Sequence, residues 1–281
     1  MRRRRLEYCA TEVRKFDSDR FLTVLFAPSH ARSALFTLYA FNLEIAKIHE
    51  SVSEPILAQM RFQWWRDALD GIFNTELPPH PIATPLQRVV RDYELRRDYF
   101  DALIEARAVD IAESPPEDLK DFIRYGAETT VPLVLLALDI LGPADEHVQS
   151  VARNAATAWA MTGLMRALPF NLRKRRNYLP ATIMAEFDVD TQSLGELRPS
   201  PGLAGVIQSI SKAAESKLAA VRQERGTVRK ELLSPLLIAP LARQYNRRFA
   251  QAAYNIFDPT FVEAPPLRAW NLTACALLGR L

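Results

Sequence analysis

Residues 163–180 read GLMRALPFNLRKRRNYLP, from Gly163 to Pro180. The stretch ends a helix of small and apolar residues that begins near Glu146 and is expected to run to about Leu168. It then passes into a dense basic turn, Arg173, Lys174, Arg175 and Arg176, and closes on Tyr178-Leu179-Pro180. A proline there marks a helix start or stop, because its ring fixes φ and its nitrogen has no hydrogen to donate. Ala167 and Asn171 lie four residues apart, which on a helix places them one turn apart on one face. The basic run reads either as a solvated charge run or as a contact for a partner or an anionic membrane surface.

The composition around this stretch is helical. Of 281 residues, 48% are apolar, enough for a sizeable core, and only nine are glycine. Ala, Leu and Arg are abundant, and no alternating Val/Ile/Thr pattern of any length appears, so the expected class is all-α in a single domain over 1–281. A net charge of +3 is too small to indicate nucleic-acid binding. Cys9 and Cys275 lie near opposite ends without metal-ligand spacing, which points to a reducing, cytoplasmic compartment. No apolar run reaches the roughly 18 residues of a membrane-spanning helix, and no apolar segment of secretory type follows MRRRRLEY. Arg2 to Arg5 form either a solvated terminus or a contact with anionic lipid, worth about 1 kcal/mol per basic residue at such a surface.

Working outward, the chain reads as successive helices. The first is expected over 6–15, with a capped break at Phe16 to Asp19 and a short apolar stretch from Phe21 to Ala27. A long helix over 30–49, capped by Ser29, carries an inward stripe of Ala34, Leu38, Phe41, Ile45 and Ile48. Pro55 opens a helix over 56–73 with Met60, Trp64, Ala68 and Ile72 inward, and a proline-rich loop runs from Asn74 to Pro85. Helices follow over 86–94 and 97–111. The segment 117–141 reads as one helix kinked at Pro132, and Gly142-Pro143 ends it. Further helices are expected over 204–225, 235–257 and 267–278.

Tyr39 to Glu50 reads YAFNLEIAKIHE. Together with 163–180 it resembles the two signatures of squalene and phytoene synthases, roughly YAFCRxxDDIxD and NxxRDxxxDxxxGRxYLP. Tyr39, Ala40, Phe41 and Ile48 match the first. Arg166, Arg176, Tyr178, Leu179 and Pro180 match the second. The four aspartates of the two DxxxD pairs fall on Ala46 and Glu50, and on Ala167 and Asn171. Ala40-Phe41-Asn42-Leu43-Glu44, Trp65-Arg66, Thr162 to Phe170 and Arg175 to Pro180 resemble the branch of this family that contains respiratory complex I assembly factors. Tyr125 to Thr130 stands where phytoene synthases carry a stretch of small residues.

The resemblance implies an isoprenoid-synthase-like helical bundle around a central cavity. Asn42, Ala46, Glu50, Gly163, Ala167 and Asn171 would line its mouth, and Phe36, Phe41, Trp159 and Phe170 are available to fill it. It leaves two readings open. One is a non-catalytic protein without a cofactor, partnering a complex I subunit or assembly module. It would lie peripherally at the inner membrane face, on the matrix side in a eukaryote. The other is a Mg²⁺-dependent prenyltransferase that condenses two prenyl diphosphates head to head. There Glu50 and Asn171 would be weak metal ligands, and Arg32, Lys47, Arg166, Arg176 and Tyr178 would contact the diphosphate. Three of four charged ligands are missing, and the loss of one such stabiliser commonly costs about 10²–10³ in rate.

Overall fold

The structure, a computed structural model, describes residues 2–51, 54–74, 79–112, 114–224, 228–261, 264–279 and 281, leaving aside the side chains of 2–6, 50, 51, 112 and 193. It is all-α, with no strand among the described residues. In chain order the helices are α1 (Arg2–Phe16), α2 (Ser18–Val24), α3 (Arg32–Ser51), α4 (Pro55–Asn74), α5 (Ala83–Asp92), α6 (Arg97–Ala108), α7 (Leu119–Glu128) and α8 (Val131–Leu141). They continue as α9 (Glu146–Arg173), α10 (Ala181–Glu186), α11 (Thr191–Leu194), α12 (Pro201–Glu224), α13 (Leu233–Leu236), α14 (Ile238–Gln251) and α15 (Arg268–Leu278).

The chain forms two compact units. The first comprises Met1–Ala112, Glu128–Ala152 and Thr227–Leu236. Its centre is α3, which packs against α1, α2, α4, α5, α6 and α8. The expected stripe of Ala34, Leu38, Phe41, Ile45 and Ile48 is buried along its whole length. Phe41 meets the rings of Trp65 and Phe100 edge-on, with centroids 5.1 and 5.4 Å away. Such pairs add about 0.5–1.5 kcal/mol each beyond the area they bury. The expected break before α2 is capped by Asp17, whose carboxylate accepts from the Arg20 backbone N–H at 3.0 Å and pairs with the Arg20 guanidinium at 2.7 Å. Ser234 Oγ donates to the Thr23 carbonyl at 2.9 Å, tying α13 to α2.

The second unit comprises Glu113–Ala127, Arg153–Gly226 and Leu237–Leu281. Here α9 presents Met161, Met165, Leu168 and Leu172 to the core at spacings of four and three, in one cluster with Val206, Ile207 and Ile210 of α12. Helix α12 packs on α10 and α14, and α14 on α15. Gly202 and Gly205 lie flush against Phe187, and a Cβ on either would collide with that residue's carbonyl or ring. Three fully buried polar side chains satisfy one another: Ser211 Oγ donates to Asn246 Oδ1 at 3.2 Å, and Asn246 Nδ2 to Thr162 Oγ1 at 3.4 Å.

Several boundaries differ from those expected, each for a local reason. Helix α3 starts at Arg32, because residues 28–31 close a turn with the Ala31 N–H on the Pro28 carbonyl. The segment 117–141 is two helices: Pro132 stands at the start of α8, where no N–H is needed, and Thr129-Thr130 separates it from α7. Pro85 lies in the first turn of α5 rather than in a loop, and is tolerated there for the same reason. Met60 and Trp64 are 62% and 38% exposed, because α4 buries the competing stripe of Ala58, Phe62, Trp65, Leu69 and Ile72. Helix α9 continues through Pro169 to Arg173, so Arg166, Ala167 and Asn171 are helical.

His80 fastens the start of α5. Its Nδ1 accepts the backbone N–H of Ile82 at 3.2 Å and of Ala83 at 3.1 Å, and its ring lies against Trp64 and Trp65. Burial holds its pKa below the ordinary histidine value. An imidazolium has no lone pair at Nδ1, so protonation breaks both bonds. The unfolded chain takes up this proton first. The stability contribution is therefore complete above about pH 6.5 and declines as pH falls from there towards the depressed folded value. The thermal midpoint should fall on acidification more steeply for the native chain than for His80→Gln, whose amide oxygen still accepts. Parallel slopes would show that His80 is not the titrating group.

Candidate functional site

The residues singled out by the first window lie on α3 and its surroundings. Asn42, Ala46 and Glu50 follow one another at spacings of four on one continuous helix, as expected. The side chain of Glu50 lies outside the described residues. Ala46 is half-buried and offers only a methyl group. Asn42 is 5% exposed, and its Oδ1 has no hydrogen-bond partner among the described residues. Burial raises the pKa of Glu44, a shift that Lys47 and Arg61 oppose and Glu12 reinforces. The ammonium of Lys47 is directed at α1, 3.8 Å from a Glu12 carboxylate oxygen and 3.1 Å from the centre of the Phe16 ring. Arg32 braces the turn before its own helix, with Nε donating to the Ala27 carbonyl at 2.9 Å. Each of the two cations thus has a partner of its own.

The second window is built on α9 and the turn that follows. Gly163, Ala167 and Asn171 also recur every four residues and are half-buried. A Cβ placed on Gly163 would meet nothing within 4 Å, so this face is open at that point. The Arg166 guanidinium lies 3.6 Å from the centre of the Tyr245 ring and 6.0 Å from that of Trp159. The backbone carbonyl of Asn171 accepts from both Lys174 and Arg176 N–H at 2.9 Å, and Arg175 takes a left-handed conformation, φ 58°, to end the helix. Arg173, Lys174 and Arg175 are exposed, and Lys174 caps the ring of Phe170 at 4.5 Å. Arg176 is half-buried. Tyr178 stacks on Tyr125, with centroids 5.7 Å apart. Asn177 Oδ1 accepts from Leu179 N–H at 2.9 Å and thereby shapes the Tyr-Leu-Pro corner that starts α10.

Tyr245 beneath Arg166 and Asn246 beside Thr162 are contacts that reading the sequence did not find. Thr162 and Asn246 are 84 residues apart, and no local pattern links them. Phe36, Phe41 and Trp159 are buried, whereas Phe170 is 43% exposed. A cavity of about 430 Å³ lies among Phe62, Arg66, Val109 and Ile111, and another of about 220 Å³ among Leu203, Tyr254 and Ile256. No residue of either signature lines them. Among the described residues no group of three or more His, Cys, Asp or Glu is arranged to hold a metal ion. Burial pushes the Cys9 thiol up to about 11, which leaves it protonated and unreactive at neutral pH.

The profile of the squalene/phytoene synthase family matches residues 13–271, and the chain belongs to that family. Among its relatives is NADH dehydrogenase (ubiquinone) complex I, assembly factor 6, of Bos taurus. The two are 26% identical over 253 residues, covering 90% of this chain and 76% of that one. The Drosophila melanogaster homolog of that factor is 26% identical over 288 aligned positions, covering 98% and 84%. The fold matches squalene synthase HpnC from Alicyclobacillus acidocaldarius with a TM-score of 0.79 at 20% identity, over 90% of this chain and 95% of that one. It matches a dehydrosqualene synthase with a TM-score of 0.85 at 18% identity, over 99% and 96%. The fold is thus that of the isoprenoid synthases, and the resemblance read from residues 39–50 and 163–180 holds for both family and branch.

A buried acceptor without a partner costs about 1–3 kcal/mol. Asn42→Leu should therefore raise the unfolding free energy by up to that amount in denaturant titration. A fall would count against an unpaired Asn42 Oδ1.

Proposed function

We propose that this chain is a non-catalytic member of the squalene/phytoene synthase family that assists the assembly of respiratory complex I. The observation that carries the proposal is the chemistry at four positions, two on each of two helices. Mg²⁺ demands near-octahedral oxygen ligands, with carboxylates preferred. Ala46 and Ala167 bring no oxygen, Asn171 brings a neutral amide, and Glu50 is the one carboxylate left. This donor set does not fit the metal ions that would neutralise a departing diphosphate. The assembly factors of the same family, 26% identical over nearly the whole chain, support an assembly role in place of catalysis.

The proposed partner is a complex I subunit or assembly module with an acidic face. The contact proposed for it is the exposed turn of Arg173, Lys174 and Arg175, which the closure of α9 at Asn171 holds clear of the core. Arg176, half-buried at the base of the turn, completes the basic run. The proposed location is peripheral, at the membrane face where that complex is built. No helix among the described residues is long and apolar enough to cross a membrane.

Disrupting the gene should lower NADH:ubiquinone oxidoreductase activity. The native chain and Glu50→Ala should restore it, and a chain carrying Arg173→Glu, Lys174→Glu and Arg175→Glu should restore it poorly. Undiminished complex I activity after disruption would remove the assembly role, and failure of Glu50→Ala alone would point back to the prenyltransferase reading.

A further inference from the structure

Helix α15 is turned the wrong way round for an ordinary surface helix. Of its residues only Leu272 is fully buried. Its outward face carries Trp270, 74% exposed, with Leu277 at 74% and Leu278 at 62%, seven and eight residues further on. Ala274, also exposed, lies between them at a spacing of four from Trp270. Leu267, 69% exposed, precedes the helix. A helix packed on a globular core normally shows charged and polar residues to water and apolar ones inward. Large apolar side chains grouped on an outer face mark an interaction site.

The sequence from Ile238 to Leu281 is basic in balance, with five arginines against Asp258 and Glu263. No Asp or Glu occurs from Ala264 to Leu281, and none from Ile238 to Phe257. Arg268 stands at the start of α15. On α14, against which α15 packs, Arg243 donates to the Leu281 carbonyl at 3.4 Å and Arg247 is exposed, whereas Arg248 donates to the Thr260 carbonyl and lies over the Phe261 ring. A two-fold dimer through this face would set the same net positive patch against itself, with Asp258 already answering Arg248. An anionic bilayer meets both requirements. Trp and Leu enter the boundary between headgroups and acyl chains, about 5–10 Å deep, while the guanidinium groups meet lipid phosphates.

We propose that α15 docks the chain on an anionic lipid surface, lying in the plane of the interface with Trp270, Leu277 and Leu278 inserted. With 11 residues the helix is about 17 Å long and cannot span a bilayer core of about 30 Å. The proposal goes beyond the assembly reading and stands whether the chain assembles a partner or turns over a prenyl diphosphate.

The test is co-sedimentation of the full chain with vesicles of phosphatidylcholine, alone or mixed with phosphatidylglycerol, over a range of salt. The native chain should bind the mixed vesicles, release them as salt rises and leave the neutral vesicles largely unbound. Trp270→Ser with Leu277→Ser should bind at least tenfold more weakly. Because both side chains face water, the thermal midpoint of that variant should stay unchanged. Three results would overturn the proposal: no vesicle binding by the native chain, equal binding by the double variant, or equal binding to neutral and mixed vesicles. A native dimer that the double variant dissolves in sedimentation equilibrium would assign the face to a second copy and overturn it as well.

Discussion

The contact on which the first unit depends is the wedge of Phe41 between Trp65 and Phe100. It sets how α3 is rotated, because a side chain that large has no other place to go in a core packed to crystal density. Once that rotation is set, the face carrying Asn42, Ala46 and Glu50 is set with it, since all three belong to the same unbroken helix. The same burial draws in Glu44 and leaves Lys47 against Glu12 and Phe16. A helix so constrained is a good platform for metal ligands. What holds it is the buried stripe of Ala34, Leu38, Phe41, Ile45 and Ile48, which includes neither position 46 nor position 50.

The second unit repeats that arrangement with different chemistry. The Met161, Met165, Leu168 and Leu172 stripe anchors α9, and the Thr162, Asn246 and Ser211 bonds fix its depth. Arg166 is held over Tyr245 in a cation–π contact of the kind worth about 0.5–2 kcal/mol according to its desolvation. The framework of both signatures therefore survives with its own packing reasons, independent of catalysis. The packed stripes of α3 and α9 use none of the four positions 46, 50, 167 and 171, so the fold places no demand on what stands there.

Much of this was legible in the sequence. The α3 stripe recurs at spacings of three and four, and the two signatures name the family because Tyr39-Ala40-Phe41 and Tyr178-Leu179-Pro180 are unusual combinations at fixed places. The misreadings arose where two apolar patterns compete on one helix. On α4, Met60 and Trp64 share the period of Phe62 and Trp65, and only packing decides which stripe turns inward. The sequence pattern stops the ninth helix at about Leu168 and places Pro85 in a loop, whereas Pro169 is carried inside α9 and Pro85 inside the first turn of α5. The partners of Lys47 and Arg166 stayed hidden because they come from distant parts of the chain. The outward face of α15 was visible as a periodic pattern, but periodicity alone does not say which side faces water.

The central claim is that this chain no longer ionises a prenyl diphosphate. The most direct measurement is turnover of labelled farnesyl and geranylgeranyl diphosphate by the pure native chain with Mg²⁺, with and without NADPH. A chain carrying Ala46→Asp, Glu50→Asp, Ala167→Asp and Asn171→Asp serves beside it as the control. The account predicts no condensation product from the native chain above the rate without protein. A squalene- or phytoene-type product from the native chain would contradict it and restore Glu50 and the basic residues to the role of an active site.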